Sequence, residues 1–169
     1  MTFLCDMHRE FLQQNPAQAY ARWEEWMGKG YGAMDNHQWR QAVAYFGCCY
    51  EISDWFLQQD DYHRQQGIFD YSTSVDRLMI SGHLLALGFG KLGCVNLERH
   101  FLVAVHNHLH SCLPRLFRIE NKIKAKLELS LLALEEHCRR FGEFQGYQQC
   151  RAETLQVIRY ASQQRAQLH

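Results

Sequence analysis

The sequence predicts an all-α protein with about seven helices. Apolar side chains recur every three or four positions along most of its 169 residues, and this spacing places them on one face of a helix. Only two prolines are present to interrupt helices. No alternation of apolar and polar residues between turn residues indicates a strand. Hydrophobic residues make up 47% of the chain, so it has enough apolar surface to bury a core, in which we expect Trp26, Phe46, Phe101 and Leu131.

The first predicted elements are a leading helix in residues 1–15 and a helix pair in residues 16–59. The apolar positions of the leading helix are Phe3, Leu4, Met7, Phe11 and Leu12. Asn15 followed by Pro16 is typical of a helix start, because proline fits the first turn, where the N–H groups have no partner within the helix. The sequence DNH at 35–37 separates the two helices of the pair.

Two further helix pairs are predicted in residues 73–113 and 115–166. The polar, glycine-containing stretch 58–72 is the loop that precedes them. Within the second pair, GFGKLG at 88–93 predicts the turn, and Pro114 closes the second helix or opens the next one. In the third pair, Gly142 and Gly146 bracket the predicted turn.

The first helix pair carries a regularly spaced set of aromatic and small residues. In the pattern W-x3-G-x2-A-x8-A-x3-F-x2-C, these are Trp26, Gly30, Ala33, Ala42, Phe46 and Cys49. This pattern resembles the tetratricopeptide repeat, in which small residues at the helix crossing allow two antiparallel helices to approach closely. Gly30 and Ala42 are the small residues expected at that crossing, and Phe46 is expected to fill the gap between neighbouring units.

The second and third pairs match this repeat less well. The positions that still match are Leu97, Phe101, Ala104, Cys150 and Thr154. Phe101 follows Phe46 by 55 positions, against about 34 in the standard repeat. The resemblance therefore covers residues 17–112, and it implies a right-handed array of antiparallel helix pairs that forms a single domain over residues 1–169. An unrelated helical bundle is the alternative.

The resemblance implies a binding scaffold without catalytic activity, an adaptor or a chaperone-like module. Proteins of this family present the first helix of each pair on a concave face that holds a peptide or helix of a partner protein. The groove residues expected here are Glu24, Met27, Tyr31, Met34, Met79 and His83. Met and Tyr beside acidic groups suit a partner segment with apolar anchors and basic residues. The alternative is that Met27 and Tyr31 belong to the core.

Charge is unevenly distributed over a chain whose formal net charge is zero. Residues 1–80 carry a net charge of −5, and residues 81–169 carry +5. The basic residues of the second half cluster at Arg115, Arg118, Lys122, Lys124, Lys126, Arg139 and Arg140. This asymmetry favours head-to-tail self-association or an acidic partner, and the alternative is a solvated helix face. A near-neutral isoelectric point and few aromatic residues within the cluster argue against nucleic-acid binding.

The sequence HNHLHSC at 106–112 contains three alternating histidines, which would converge on one metal ion from a strand. On a helix, residues four apart share a face, whereas residues two apart lie about 200° apart. His106 and His110 therefore share a face from which His108 points away. Two histidines at this spacing bind zinc only when a third ligand is supplied, so no metal and no other cofactor are predicted.

Seven cysteines without a C-x-x-C pair are expected to be reduced thiols that pack as small hydrophobic residues. Cys5 and His8 lie one turn apart, which makes them a second group of potential metal ligands. A metal- or redox-responsive regulator that uses such His/Cys groups is the alternative function. The chain has no catalytic serine motif and no phosphate-binding glycine loop, so no enzymatic activity is predicted.

The chain is expected to be cytoplasmic. Its first residues lack the basic start and the apolar run of a secretory signal. The longest apolar stretch, at 84–92, is interrupted by glycines and is too short to span a bilayer. No membrane partner is therefore predicted.

Overall fold

The structure is a computed structural model that describes the backbone of residues 2–58, 71–116 and 120–167. This part of the chain folds into seven helices without a strand, which confirms the predicted all-α class and the predicted number of helices. The helices are α1 (Asp6–Gln14), α2 (Pro16–Asp35), α3 (Trp39–Gln58), α4 (Tyr71–Lys91), α5 (Val95–Leu116), α6 (Glu120–Phe141) and α7 (Tyr147–Gln167). None of these described helices is both long enough and apolar enough to cross a membrane.

The break between α2 and α3 is where the sequence predicts it. The first of these helices ends at Asp35, and the second begins at Trp39. Between them, His37 has a φ of 57°, in the left-handed region, where the chain can leave the helical path. The N–H of His37 donates to the carbonyl of Met34 at 2.9 Å, which satisfies one of the carbonyls left without a partner at the end of α2.

The turn predicted at 88–93 begins later than predicted, because α4 continues to Lys91. The first glycine of the stretch, Gly88, lies within α4, where a Cβ atom would overlap the side chain of Val43. This glycine therefore allows α4 to approach α3 closely and does not break the helix. The chain turns at Gly93, which has a φ of 73°.

The two other predicted breaks have different outcomes. The loop predicted at 58–72 falls mainly on residues 59–70, which lie outside the described residues. Pro114 does not end a helix, because α5 continues through it to Leu116.

The chain divides into two compact units, Met1–Phe101 and Leu102–His169. The first unit contains α1 to α4 and the beginning of α5. In this unit, α3 packs against both α2 and α4, and α1 packs against α2. The second unit contains the remainder of α5 together with α6 and α7, which pack against each other.

Helices α2 and α3 cross where the repeat pattern places its small residues. Gly30 lies so close to the fully buried ring of Phe46 that a Cβ atom would overlap this ring. Further along α3, the thiol of Cys49 donates to the carbonyl of Trp23 at 3.4 Å. From the first contact to the second, the residue number falls from 30 to 23 on α2 and rises from 46 to 49 on α3. The two helices are therefore antiparallel.

Helix α4 runs in the same direction as α2. The hydroxyl oxygens of Tyr20 and Ser74 lie 3.5 Å apart. One turn further along both helices, Nη2 of Arg77 lies 3.4 Å from Oε1 of Glu24. Because residue numbers rise together through these two contacts, the first helix of the second predicted pair lies beside the first helix of the first pair.

Most of the large residues that the sequence places in the core are buried. Phe46 and Phe101 are buried in the first unit, and Leu131 is buried in the second. Trp26, which the sequence also places in the core, is only partly buried, since it packs at the edge of an apolar cluster that includes Leu12. The side chain of Trp26 lines a cleft together with His8 and Phe11 of α1, which leaves it partly exposed.

In the second unit, fully buried leucines of α5 and α6 form the centre of the core: Leu109, Leu127 and Leu134. The turn between α6 and α7 contains Gly142 and Gly146, as predicted. Their φ angles of 86° and 98° lie in the left-handed region, where glycine is favoured because it has no side chain.

Candidate functional site

The predicted groove residues of α2 lie in three different environments. Glu24 is exposed. Tyr31 is 40% exposed, and its ring packs edge-on against Phe46 with the centroids 5.7 Å apart. Met34 is half-buried, whereas Met27 is 4% exposed and belongs to the core. Glu24 and Tyr31 are therefore the two members on this helix that solvent reaches most readily.

The predicted groove residues of α4, Met79 and His83, are both half-buried. Nε2 of His83 is buried and has no hydrogen-bond partner among the described residues. Burial lowers the pKa of His83 from its ordinary value of 6.5 to about 4, so the imidazole is neutral near pH 7. His83 therefore offers a partner no charge at this pH.

Arg77 joins α4 to α2. Its guanidinium carbon lies 3.9 Å from the centre of the Tyr20 ring and 5.0 Å from the centre of the Trp23 ring. Such a cation over aromatic faces is attracted by their negative potential. The side chain is only 16% exposed, and its ion pair holds the exposed Glu24 in place. Sequence reasoning missed Arg77, because a single arginine in a helical pattern looks like any solvated position.

Two apolar side chains of α4 that follow Arg77 in the sequence are exposed. Ile80 and Leu87 are 39% and 42% exposed, and their spacing of seven residues puts them on one face. Ile80 is one turn beyond Arg77, and Tyr31 is two turns beyond Glu24. Tyr31, Ile80 and Leu87 are therefore exposed apolar residues of two parallel helices that the Glu24–Arg77 ion pair joins. We name this set of five residues the α2/α4 surface.

The histidines of α5 take part in a buried polar contact within the second unit. Nδ1 of His106 lies 3.2 Å from Oγ of Ser130 on α6, and its Nε2 lies 3.1 Å from Oγ1 of Thr154 on α7. Nε2 of His110 lies 3.3 Å from the same threonine oxygen. His106, Ser130 and Thr154 are fully buried. We name these four residues the histidine cluster.

Hydrogen-bond directions in the histidine cluster depend on one another. Thr154 has one hydrogen to donate, and a neutral imidazole has one donor nitrogen and one acceptor nitrogen. If Thr154 donates to His106, then His110 must donate to Thr154, and the remaining N–H of His106 points to Ser130. In the opposite direction, His106 donates to Thr154 and accepts from Ser130, while Thr154 can either donate to His110 or accept from it. Burial lowers the pKa of His110, which favours its neutral form, while the charge of Glu153 opposes this effect.

The prediction that His106 and His110 share a face is confirmed, because both contact Thr154. His108 points elsewhere, and its ring nitrogen lies 2.9 Å from the carbonyl oxygen of Ala104 in the same helix. Over the described residues, no three His, Cys, Asp or Glu side chains are arranged to hold a metal ion. The buried Ser130–His106 contact resembles a nucleophile and its base, but solvent does not reach either side chain.

The predicted basic cluster is described only in part. Three of its members have side chains that lie outside the described residues: Arg115, Arg118 and Lys122. Nζ of Lys124 lies 3.8 Å from the carboxylate of Glu128. Arg139 and Arg140 both contact Glu136. Ion pairs within one helix are typical of a solvated helix face.

Cys5 and His8, which lie one turn apart in the sequence, contact each other in the structure. Sγ of Cys5 lies 2.9 Å from Nδ1 of His8, and both residues are exposed. Burial raises the pKa of Cys49, Cys150 and, to about 11, Cys48. Among the described residues, Cys5 is thus an exposed thiol beside an imidazole, whereas these three thiols are buried or half-buried.

Comparison with protein-family models, curated proteins and solved structures found no match to this chain. The tetratricopeptide resemblance therefore stays a prediction that depends on the residues of the first helix pair.

Proposed function

We propose that the protein is a non-catalytic interaction module of the tetratricopeptide type, whose α2/α4 surface binds a segment of a partner protein. The observation that carries the proposal is the exposure of three apolar side chains, Tyr31, Ile80 and Leu87, on two parallel helices that the Glu24–Arg77 ion pair joins. Exposed apolar side chains that lie together within a polar rim are typical of interaction sites.

Three partly exposed side chains can supply most of the binding energy. Tyr31, Ile80 and Leu87 are 40%, 39% and 42% exposed. Burial of apolar surface stabilises a complex by about 25 cal/mol per Å², and a few well-packed anchors usually dominate an interface. The charged pair contributes mainly to orientation and to the association rate.

The partner segment expected from this chemistry is an amphipathic helix or an extended peptide. Its apolar residues would contact Ile80 and Leu87, and a basic residue would approach Glu24. The net charge of −5 on residues 1–80 favours such a basic segment. A second copy of this chain, through its basic half, is the other partner we propose. We place the protein in the cytoplasm, without a cofactor and without a nucleic-acid or membrane partner.

The test compares partner recovery by surface variants of the purified protein. Ile80→Asp and Leu87→Asp each place a charge in the apolar group, and either should lower recovery of specific partners from native cell extract by about tenfold or more. Leu132→Asp is the matched control, because Leu132 is 57% exposed but lies in the second unit. Quantitative mass spectrometry of the bound proteins gives the ratio.

Circular dichroism and the melting temperature establish that each variant is folded. The proposal fails if every bound protein is recovered equally by the wild type, Ile80→Asp and Leu87→Asp. It also fails if Leu132→Asp alone reduces recovery, since the binding surface would then lie in the second unit.

The alternative is a metal- or redox-responsive regulator, and its metal-binding form has less support than the interaction module. His106 and His110 are engaged by Ser130 and Thr154, and no metal-binding group is formed among the residues that the structure describes. Analysis of the untagged protein for bound zinc distinguishes the two functions, because stoichiometric zinc would favour the regulator.

A further inference from the structure

Two cysteines and a histidine lie close together where the N-terminal segment packs against α3. Cys5 is the N-cap residue of α1, and its Sγ lies 2.9 Å from Nδ1 of His8. The thiol of Cys48, on α3, donates to the carbonyl of Phe3 at 3.7 Å. Since Phe3 precedes Cys5 by only two residues, the two thiols belong to the same small region of the first unit.

The N-terminal segment is held in place by contacts with α3. The carboxylate of Glu51 accepts hydrogen bonds from the N–H of Phe3 at 2.5 Å and from the N–H of Leu4 at 3.0 Å. The ring of Phe3 fills the space beside Gly47, where a Cβ atom would overlap it. These contacts fix the backbone on the N-terminal side of Cys5 and keep the residue near Cys48.

His8 is positioned to accept the proton of the Cys5 thiol. Its ring packs edge-on against Trp26 with the centroids 6.4 Å apart, which restricts the imidazole. A cleft of about 410 Å³, lined in part by His8, Phe11 and Trp26, gives small molecules access to this region. A thiol that transfers its proton to a neighbouring imidazole is the reactive, nucleophilic form of cysteine.

The two thiols differ in a way that assigns them different roles. Cys5 is exposed, whereas Cys48 is half-buried. Burial raises the pKa of Cys48 to about 11, and the charge of Glu51 contributes to this rise. Because Cys5 is exposed and Cys48 is half-buried, an oxidant in solvent reaches Cys5 first.

We propose that Cys5, His8 and Cys48 form a peroxide-sensitive dithiol site, in which Cys5 reacts first and Cys48 then closes a disulfide. His8 accepts the thiol proton, and the Cys5 thiolate attacks one oxygen of hydrogen peroxide. A sulfur–oxygen bond forms, the oxygen–oxygen bond breaks, and hydroxide leaves with the proton from His8 as water. The product is a sulfenic acid on Cys5.

The second step joins the two sulfur atoms. The sulfur of Cys48 attacks that of Cys5, the sulfur–oxygen bond breaks, and hydroxide leaves as water with the proton of the Cys48 thiol. Two thiols are thereby oxidised to one disulfide, and one hydrogen peroxide is reduced to two water molecules. The disulfide ties the N-terminal segment covalently to α3.

The first test measures the reactivity of Cys5 against a matched thiol. Cys94 is also exposed, but its Sγ contacts a backbone carbonyl, that of Leu92 at 3.9 Å. With limiting N-ethylmaleimide near pH 7, Cys5 should react about tenfold faster than Cys94. His8→Gln should bring the Cys5 rate close to that of Cys94 and leave Cys94 unchanged. Equal rates for the two thiols in the wild type would overturn the role of His8.

The second test identifies the disulfide. Cys48 and Cys49 lie on one tryptic peptide, so the experiment uses the Cys49→Ser variant of the full chain. Brief treatment with equimolar hydrogen peroxide, alkylation and peptide mapping should yield a peptide in which Cys5 is linked to Cys48. A dithiol reductant should remove the link, and His8→Gln should slow its formation several-fold.

Cys48→Ser, in the same Cys49→Ser background, should leave Cys5 as a sulfenic acid that dimedone labels. Circular dichroism shows whether the variants are folded, and if they are not, fragmentation of the linked wild-type peptide between Cys48 and Cys49 by tandem mass spectrometry identifies the linked thiol. The proposal is overturned if no Cys5–Cys48 peptide forms in the folded protein. It is equally overturned if Cys5 links as often to Cys94 as to Cys48, which would indicate unselective oxidation.

Discussion

Replacement of Gly30 by alanine should destabilise the first unit, whereas the same replacement at Gly28 or Gly32 should stabilise it. All three glycines lie within α2. A Cβ atom at Gly30 would overlap the ring of Phe46, but a Cβ atom at Gly28 or Gly32 would meet nothing within 4 Å. The three variants therefore share the same change in helix propensity and differ only in packing.

The expected magnitudes follow from these two effects. Alanine in a helix interior is more stable than glycine by about 0.5–1 kcal/mol, so Gly28→Ala and Gly32→Ala should gain about that much. An extra methyl group in a packed crossing costs about 1–3 kcal/mol. Gly30→Ala should thus unfold more easily than Gly28→Ala by about 1–3 kcal/mol, because the fully buried Phe46 has little room to move.

Urea unfolding followed by tryptophan fluorescence measures the difference. The four tryptophans, at positions 23, 26, 39 and 55, all lie in the first unit, so their emission reports on that unit. The midpoints of Gly28→Ala and Gly30→Ala should differ by about 0.5–1.5 M urea. Phe46→Leu should reduce the cost of Gly30→Ala, since it removes ring atoms. If Gly30→Ala is as stable as Gly28→Ala, α2 and α3 do not cross at Gly30 in solution.

Two further predictions concern the buried imidazoles. Burial lowers the pKa of His83 from 6.5 to about 4, so as the pH falls the unfolded chain binds a proton before the folded chain does. The free energy of unfolding should therefore fall by up to about 3 kcal/mol between pH 6.5 and pH 4. In urea titrations, His83→Gln should make the free energy of unfolding less dependent on pH, whereas replacement of the exposed His100 by Gln should not. If the pH dependence of His83→Gln equals that of the wild type, His83 is solvated in the folded protein. Thr154→Val should cost about 1–3 kcal/mol, because Nε2 of His106 loses its buried partner. Thr154→Ser keeps a hydroxyl, so thermal unfolding should show a clearly smaller loss of stability than for Thr154→Val. If the two variants lose equal stability, the hydrogen bond to His106 does not stabilise the fold.

The helix pairing of the first unit is predictable because its determinants are local. A helix crossing needs small residues at fixed spacing, so the sequence alone is enough to single out Gly30 and Ala42. Gly88 likewise leaves room for the side chain of Val43 where α4 packs against α3. The sequence pattern wrongly assigns it to a turn because it lies in the glycine-rich stretch GFGKLG. A glycine required by packing has the same local pattern as one required by a turn.

The candidate sites are less predictable because their partners are distant in sequence. Helical geometry predicts that His106 and His110 share a face, but Ser130 and Thr154 lie 24 and 48 positions from His106. The burial of Met27 is equally a tertiary property. An amphipathic pattern indicates which residues face the protein, and it does not distinguish the interior of a pair from an open groove.

The α2/α4 surface and the dithiol site lie on opposite faces of α2. Glu24 contacts Arg77 of α4, and Trp26 contacts His8 of α1. Residues two apart on a helix point about 200° away from each other, so these contacts leave the helix in nearly opposite directions. A disulfide between Cys5 and Cys48 would fix the α1 side and leave Tyr31 and Ile80 exposed on the other. Oxidation and partner binding are therefore physically separable, and a failure of one proposal does not count against the other.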